Sequence, residues 1–191
     1  FAGAGGFSLG LAQAGFEVVA ALDNDPDAIC TYRLNHPHLR DEAVIEADAR
    51  DVDHHQLARL LEGRDLDLLA GGPPCQGFSL MGNRVPHRYT NGDKKFGAAY
   101  EVEEDERNHL FQAIVRFARH LQPRYVIIEN VPGLASAEIR EISFAEHIAR
   151  RLASAGYDVR VLRLEATSFG IPQRRHRYFV VGTRYGDVVP D

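Results

Sequence analysis

The chain has 191 residues, 45% hydrophobic and 26% charged, which suits one globular domain with a substantial core and excludes a disordered tail. A net charge of −5 excludes a broad basic coat for nucleic acid, leaving only a local basic site. Two cysteines in unlike contexts, Cys30 and Cys75, exclude a four-cysteine zinc site, and no apolar run approaches the roughly 20 residues that span a bilayer, so a soluble protein of a reducing, intracellular compartment is expected.

The glycine-rich stretch Phe1 to Phe7 passes into a helix from Ser8, with leucines and alanines at helical spacing, ended by Gly15. Glu17 to Leu22 is expected to be a buried strand. Asp25 and Pro26 supply an N-cap and a first-turn proline for a helix to Leu34, stopped by Asn35-His36-Pro37. A short strand at Val44-Ile45 ends near Asp48, and a helix follows from His54 to Leu61. Leu66 to Ala70 is a strand running into Gly71-Gly-Pro-Pro-Cys-Gln-Gly77, too rich in breakers to be anything but a loop. Leu80 to Arg107 is expected to be a long loop of the kind that forms functional lids, and its acidic run, Glu101 to Glu106, is most simply a solvated face.

Leu110 to Leu121 predicts an amphipathic helix, Arg124 to Ile128 a buried strand, and Phe144 to Ala155 a helix closed by Gly156. The last two strands, Asp158 to Leu164 and Tyr178 to Thr183, lack an intervening helix and predict an antiparallel hairpin at the sheet edge. The alternation of apolar runs and amphipathic stretches predicts an α/β fold with a mainly parallel sheet.

The glycine turn at Phe1 to Gly6 can bring backbone close to a nucleotide-like ligand, but alone it says little. About twenty residues on, Asp23 stands at a strand end, where α/β nucleotide-binding folds place an acid for ribose hydroxyls; its other role would be an ordinary helix cap beside Asp25. Asp48 ends the next strand. No lysine or serine completes a phosphate loop, so an adenosine-type ligand fits better than a nucleotide triphosphate. Cys75, at a strand end with prolines before it and glycine behind, is presented to a cleft, whereas Cys30 on a helix face is read as core. Glu129 leaves a strand expected to neighbour the one before Cys75. Arg174, Arg175 and Arg177 cluster by the hairpin as donors for a nucleobase or phosphate, with a solvated turn as the alternative.

Four ordered segments carry a resemblance: Phe1-Ala-Gly-Ala-Gly-Gly-Phe7, Gly72-Pro-Pro-Cys-Gln-Gly-Phe-Ser79, Glu129-Asn-Val-Pro-Gly133 and Gln173-Arg-Arg-His-Arg177. Together they resemble motifs of the cytosine-C5 DNA methyltransferases, over nearly the whole chain. The resemblance implies a Rossmann-like S-adenosylmethionine-dependent methyltransferase fold. It also implies S-adenosyl-L-methionine as methyl donor, with Phe1, Gly3, Gly6, Asp23, Asn24, Asp48 and Leu110 around it, and no metal. Cys75 would be the nucleophile that adds to cytosine C6. Glu129 would neutralise the ring at N3 and the amino group, with Arg177 and Arg175 holding O2. The substrate implied is double-stranded DNA with the target cytosine flipped out of the stack.

An RNA cytosine methyltransferase of the same family, a silent S-adenosylmethionine-binding scaffold and a nicotinamide-dependent oxidoreductase are the competing readings. The last gives no reason for Cys75 and Glu129 at neighbouring strand ends. Because the only methionine is Met81 and the chain opens on the glycine turn, it is read as a catalytic domain incomplete at both ends. A first strand is expected before Phe1, with a target-recognition domain following or supplied by a second chain. The 191 residues alone are then expected to be poorly stable and inactive.

Overall fold

The structure is a computed structural model that describes residues 1–74, 110–133, 138–139 and 142–186. Cys75, the Leu80 to Arg107 loop and the acidic run lie outside the described residues. In chain order the elements are α1 (Gly6–Gln13), β1 (Ala21–Asp23), α2 (Pro26–Asn35), β2 (Val44–Glu46), α3 (His54–Leu60), β3 (Leu68–Gly71), α4 (Phe111–Leu121) and β4 (Tyr125–Asn130). They continue with β5 (Glu138–Ile139), β6 (Ile142–Ser143), α5 (Phe144–Ala153), β7 (Asp158–Glu165) and β8 (His176–Thr183).

Parallel pairing joins β1 to β2 and β3 to β4, while β8 runs antiparallel to both β4 and β7 in the order β3-β4-β8-β7. The fold is thus α/β with mixed pairing, and the expected terminal hairpin is β7–β8. Its edge position follows from chain economy, since only a short connection separates the two strands.

Local chemistry sets most boundaries. The Asp25 carboxylate accepts from the N–H groups of Asp27 and Ala28 at 2.9 and 3.3 Å, capping α2 with Pro26 in its first turn. Ser143 caps α5 in the same way through the Glu146 N–H. α2 turns Ile29 and Tyr32 inward, both fully buried, against β1 and β2. Cys30, read from the sequence as core, is exposed. It follows Ile29 by one residue, about 100° further round a helix with 3.6 residues per turn, and so leaves the buried stripe. The expected strand from Glu17 registers only at Ala21–Asp23, the stretch that lies opposite Val44–Glu46.

β4 alternates along its length, burying Val126, Ile128 and Asn130 and leaving Tyr125, Ile127 and Glu129 on the other face. Val126 and Ile128 meet Phe111, Ile114 and Ala118 of α4 and Phe144, Ile148 and Leu152 of α5 in the main core. Each such fully buried aliphatic side chain stabilises by about 1.5–3 kcal/mol. Tyr157 closes this core, its hydroxyl donating to Pro123 O at 2.9 Å and Ala118 O at 3.3 Å. Burial raises the Tyr157 pKa above the ordinary phenol value, so it stays a donor at neutral pH. Gly182 permits the contact, because a Cβ there would lie 3.2 Å from the Tyr157 side chain.

Between β1 and β3 runs a groove of about 650 Å³, bordered by residues 17–22 on one side and 65–71 on the other, with Leu57, Phe117 and Leu121 among its apolar lining. β1 and β3 belong to separate sheets. At the end of the groove the Ala2 N–H donates to Leu22 O at 3.0 Å.

Candidate functional site

β1 ends on Asp23, Asp48 lies two residues beyond β2, β3 ends on Gly71, and β4 carries Glu129 next to its last residue. The crossover from β3 through α4 to β4 joins two parallel strands, so α4 runs back along the sheet and its first turn, with Leu110 before it, starts at the edge where β3 ends.

The glycine turn sits over the end of β1. Gly3 and Gly5 adopt φ of +55° and +93°, and the Gly3 N–H donates to Asp23 Oδ2 at 2.8 Å. Asp23 Oδ1 accepts from the Asp25 N–H at 3.1 Å, but the cap of α2 is Asp25, so Asp23 is free of the helix-cap role. Burial works to raise the Asp23 pKa. The N–H groups of Gly3 and Asp25, the Phe1 ammonium and the Asn24 N–H together outweigh it and hold the carboxyl below its usual range. Stability from ionised Asp23 is therefore present above the ordinary carboxylate pKa and lost as pH falls through the lowered folded value. Asp23→Asn is expected to remove this contribution. The stability difference between wild type and variant, read by denaturant unfolding, should then shrink below about pH 4.

The turn is held from behind by α2, which the sequence reading did not foresee. Asn35 Nδ2 donates to Ala4 O at 2.8 Å, His36 Nε2 lies 3.2 Å from Gly5 O, and the Tyr32 hydroxyl donates to Ser8 Oγ at 2.8 Å. Asn35-His36-Pro37 reads in sequence only as a helix stop, because the backbone it grips lies 31 residues away.

Asp48 leads a loop in which its carboxylate takes the Arg50 guanidinium, with Nη2 at 2.7 Å, and the Arg50 N–H at 2.8 Å. Those hydrogen bonds lower its pKa against a slight opposing effect of burial. The loop is held by Arg116 of α4, whose guanidinium donates to Ala49 O, Arg50 O and Val52 O at 2.7, 2.8 and 3.0 Å. Phe1 packs between these parts, against the clusters that contain Ile45, Ala49, Leu69 and Ile114.

The second half of the site gathers around Glu129. β4 and β8 pair with Glu129 opposite Phe179, and the pleat puts Arg177, two residues from Phe179, on the Glu129 face as a diagonal neighbour. The Arg177 Nε donates to Glu129 Oε1 at 2.7 Å, both side chains about a quarter exposed. The pair is charge-assisted. Glu129 also passes close to the loop after β3, since a Cβ on Gly72 would lie 3.2 Å from Glu129 Oε2. Arg175 is exposed, and its carbonyl accepts from the Ala166 N–H. Asn24 and Gly6 are exposed and Leu110 half-buried. The structure thus brings together Gly3 with Asp23, and Glu129 with Arg177 and Gly72.

Among the described residues, Asp53, His54 and His55 also converge, their ligand-type atoms within 4.8 Å of one another. No described helix is long and apolar enough to cross a membrane.

The glycine turn, the strand-end acid and the carboxylate–guanidinium pair lie on a Rossmann-like α/β scaffold, and comparison with known proteins assigns the family. The profile of the C-5 cytosine-specific DNA methylases matches residues 1–189, and the chain belongs to that family. It is 37% identical to the Type II methyltransferase M.XorII of Xanthomonas oryzae pv. oryzae over 100% of this chain and 41% of that protein. It is also 37% identical to the Type II methyltransferase M.DdeI of Desulfomicrobium norvegicum, over 96% and 39%. The crystal structure of an E. coli prophage-encoded protein described as a DNA modification methyltransferase superposes with a TM-score of 0.71 at 29% identity, covering 96% of this chain and 45% of that one. The chain therefore spans about two-fifths of the length of these two curated relatives.

Proposed function

We propose that the intact protein transfers a methyl group from S-adenosyl-L-methionine to C5 of cytosine in double-stranded DNA, through a covalent adduct of Cys75 with a flipped base. What supports this reading is the Glu129–Arg177 pair at the end of β4, beside the Gly72-Pro73-Pro74 segment that leads into Cys75.

Cytosine C5 is too weak a nucleophile to attack a sulfonium unaided. Addition of the Cys75 thiolate forms the Sγ–C6 bond and moves a ring electron pair toward C5. Negative charge that would build on N3 and O2 meets donors instead: a proton or hydrogen bond from Glu129 at N3, and Arg177 with Arg175 at O2. When bound, S-adenosylmethionine supplies the electrophilic methyl group that C5 takes. Loss of the C5 proton to solvent base then returns its electron pair to the ring and breaks the Sγ–C6 bond, with the thiolate leaving and any proton taken at N3 going back to Glu129.

The chain's residues fit that donor. A Cβ built on Gly3 meets nothing within 4 Å, so the turn at Phe1 to Gly6 has open space beside it. The Asp23 carboxylate, ionised at neutral pH, is suited to ribose hydroxyls, with Asn24 and Asp48 contributing polar contacts and Phe1 and Leu110 apolar ones. Asp23→Ala is expected to weaken S-adenosylmethionine binding by about 1–3 kcal/mol, measured by isothermal titration, because ribose hydroxyls are left facing an unpaired site. Unchanged affinity would remove Asp23 from the cofactor site.

A target-recognition segment, in the same polypeptide or a partner chain, supplies the DNA-groove contacts, since a net charge of −5 offers no general attraction to phosphate. The test is transfer of labelled methyl groups by the intact protein to duplex DNA and to transfer RNA. Labelled 5-methylcytosine in DNA alone is the expected result. Labelling of RNA alone would move the substrate to RNA, and labelling of neither would overturn the reading. Glu129→Gln is expected to lower turnover less than loss of the thiol does, because an amide still donates one hydrogen bond but cannot deliver a proton. Wild-type turnover in that variant would remove Glu129 from the pocket.

A further inference from the structure

We propose that Asn35, with His36 beside it, is a positioning residue for S-adenosylmethionine, shaping the glycine turn from the side opposite the donor; the role rests on the functional reading above. The turn has two unlike sides. A Cβ built on Gly3 or Gly6 meets nothing within 4 Å, whereas one built on Gly5 would lie 2.4 Å from His36 Nε2. The end of α2 therefore closes one side and leaves the other open. Three glycines, Gly3, Gly5 and Gly6, give this segment wide conformational freedom, and Gly3 and Gly5 are held at positive φ. The N-cap of α1 is Gly5 itself, which has no side chain to fix the start of the helix.

α2 supplies that restraint. In a trans peptide the carbonyl and the following N–H point in opposite directions, so each peptide plane can be held from both ends. The plane between Ala4 and Gly5 is held in this way: the Gly5 N–H closes the turn on Ala2 O at 3.2 Å, and Asn35 Nδ2 donates to Ala4 O at 2.8 Å. The next carbonyl, Gly5 O, accepts from the Leu9 N–H at 2.9 Å as α1 begins, with His36 Nε2 at 3.2 Å. A carbonyl only accepts, so that ring nitrogen carries its hydrogen. Asn35 is exposed, and its loss leaves the buried contacts of α2, Ile29 and Tyr32, in place. What it governs is the order of the turn before any ligand arrives. Order already present in the free protein is not charged to binding, so a turn loosened at Ala4 holds the donor more weakly while the chemistry of transfer is unaltered.

The test uses the intact protein with Asn35→Ala, which removes the hydrogen-bond donor, and Asn35→Asp, which sets a carboxylate oxygen against the Ala4 carbonyl. Isothermal titration with S-adenosylmethionine is expected to show affinity about 3- to 10-fold weaker in both, the worth of one hydrogen bond. Single-turnover methyl transfer at saturating donor is expected within about twofold of wild type, and amide hydrogen exchange of the donor-free turn is expected to be faster. Unchanged affinity in both variants overturns the proposal. A fall in the saturating rate and in the denaturant midpoint to match the loss of affinity also overturns it, marking a role in folding alone. If the unsubstituted protein binds no S-adenosylmethionine, the functional reading itself fails and the proposal with it, an outcome distinct from the other two.

Discussion

Cys75→Ser in the intact protein is expected to lower methyl transfer by at least about 10³-fold while S-adenosylmethionine affinity stays within about twofold. A free thiol titrates near ~8.5, so a few per cent is thiolate at neutral pH and a modest nearby positive charge raises that fraction. A serine hydroxyl is far less acidic and is a poorer nucleophile toward C6. The glycine turn and Asp23, proposed to hold the donor, come from other strand ends, so loss of the thiol is expected to leave donor affinity unchanged. The measurement is single-turnover methyl transfer beside cofactor titration, with the 5-fluorocytosine adduct as a second readout. Turnover within tenfold of wild type would rule out the covalent route.

The second large effect is on folding. Gly5→Ala is expected to destabilise the chain by about 2–5 kcal/mol, from a left-handed backbone that alanine tolerates poorly and from overpacking at the added carbon. Gly5 has φ +93°, and a Cβ there would lie 2.4 Å from His36 Nε2 and 3.1 Å from Tyr32. His36 cannot swing away easily, because it is 3% exposed and stacked on Tyr32 with ring centroids 4.4 Å apart. Denaturant unfolding reads the loss directly. Gly10→Ala is the control, because its Cβ meets nothing within 4 Å and the residue lies within helix α1. An equal response in the two variants would show that the α2 anchor of the turn carries no stability.

Much of this arrangement was legible before any coordinates. Caps and periodicity located α2, α4 and α5 because those signals are local: Asp25 with Pro26, Gly156 as the stop after α5, and apolar residues every three or four positions. The connection without a helix between the last two strands implied the β7–β8 hairpin for the same kind of reason. The neighbourhood of β3 and β4 was legible from the motifs at their ends.

Other features have no local signature. Cys30 looked like core because an apolar helix face was judged by composition. Its exposure depends on which stripe of α2 meets β1 and β2, and that is set by Ile29 and Tyr32. The three-residue length of β1 depends on its partner β2, and the grip of Asn35 and His36 on the glycine turn depends on α2 folding back over residues 31 positions earlier.

What the sequence by itself determined is therefore the set of chemical groups and the order of elements, since cap, turn and motif residues act within a few positions of one another. Only the tertiary structure decided which groups touch. Glu129 and Arg177 stand 48 positions apart in the chain, and it is the antiparallel register of β4 with β8, with side chains alternating every second residue, that turns them into an ion pair at 2.7 Å. Asn130 reaches Pro73 for the corresponding reason on the opposite face: the β3–β4 ladder ends at Gly71, two residues before Pro73, and a buried amide must place its donor on a nearby carbonyl.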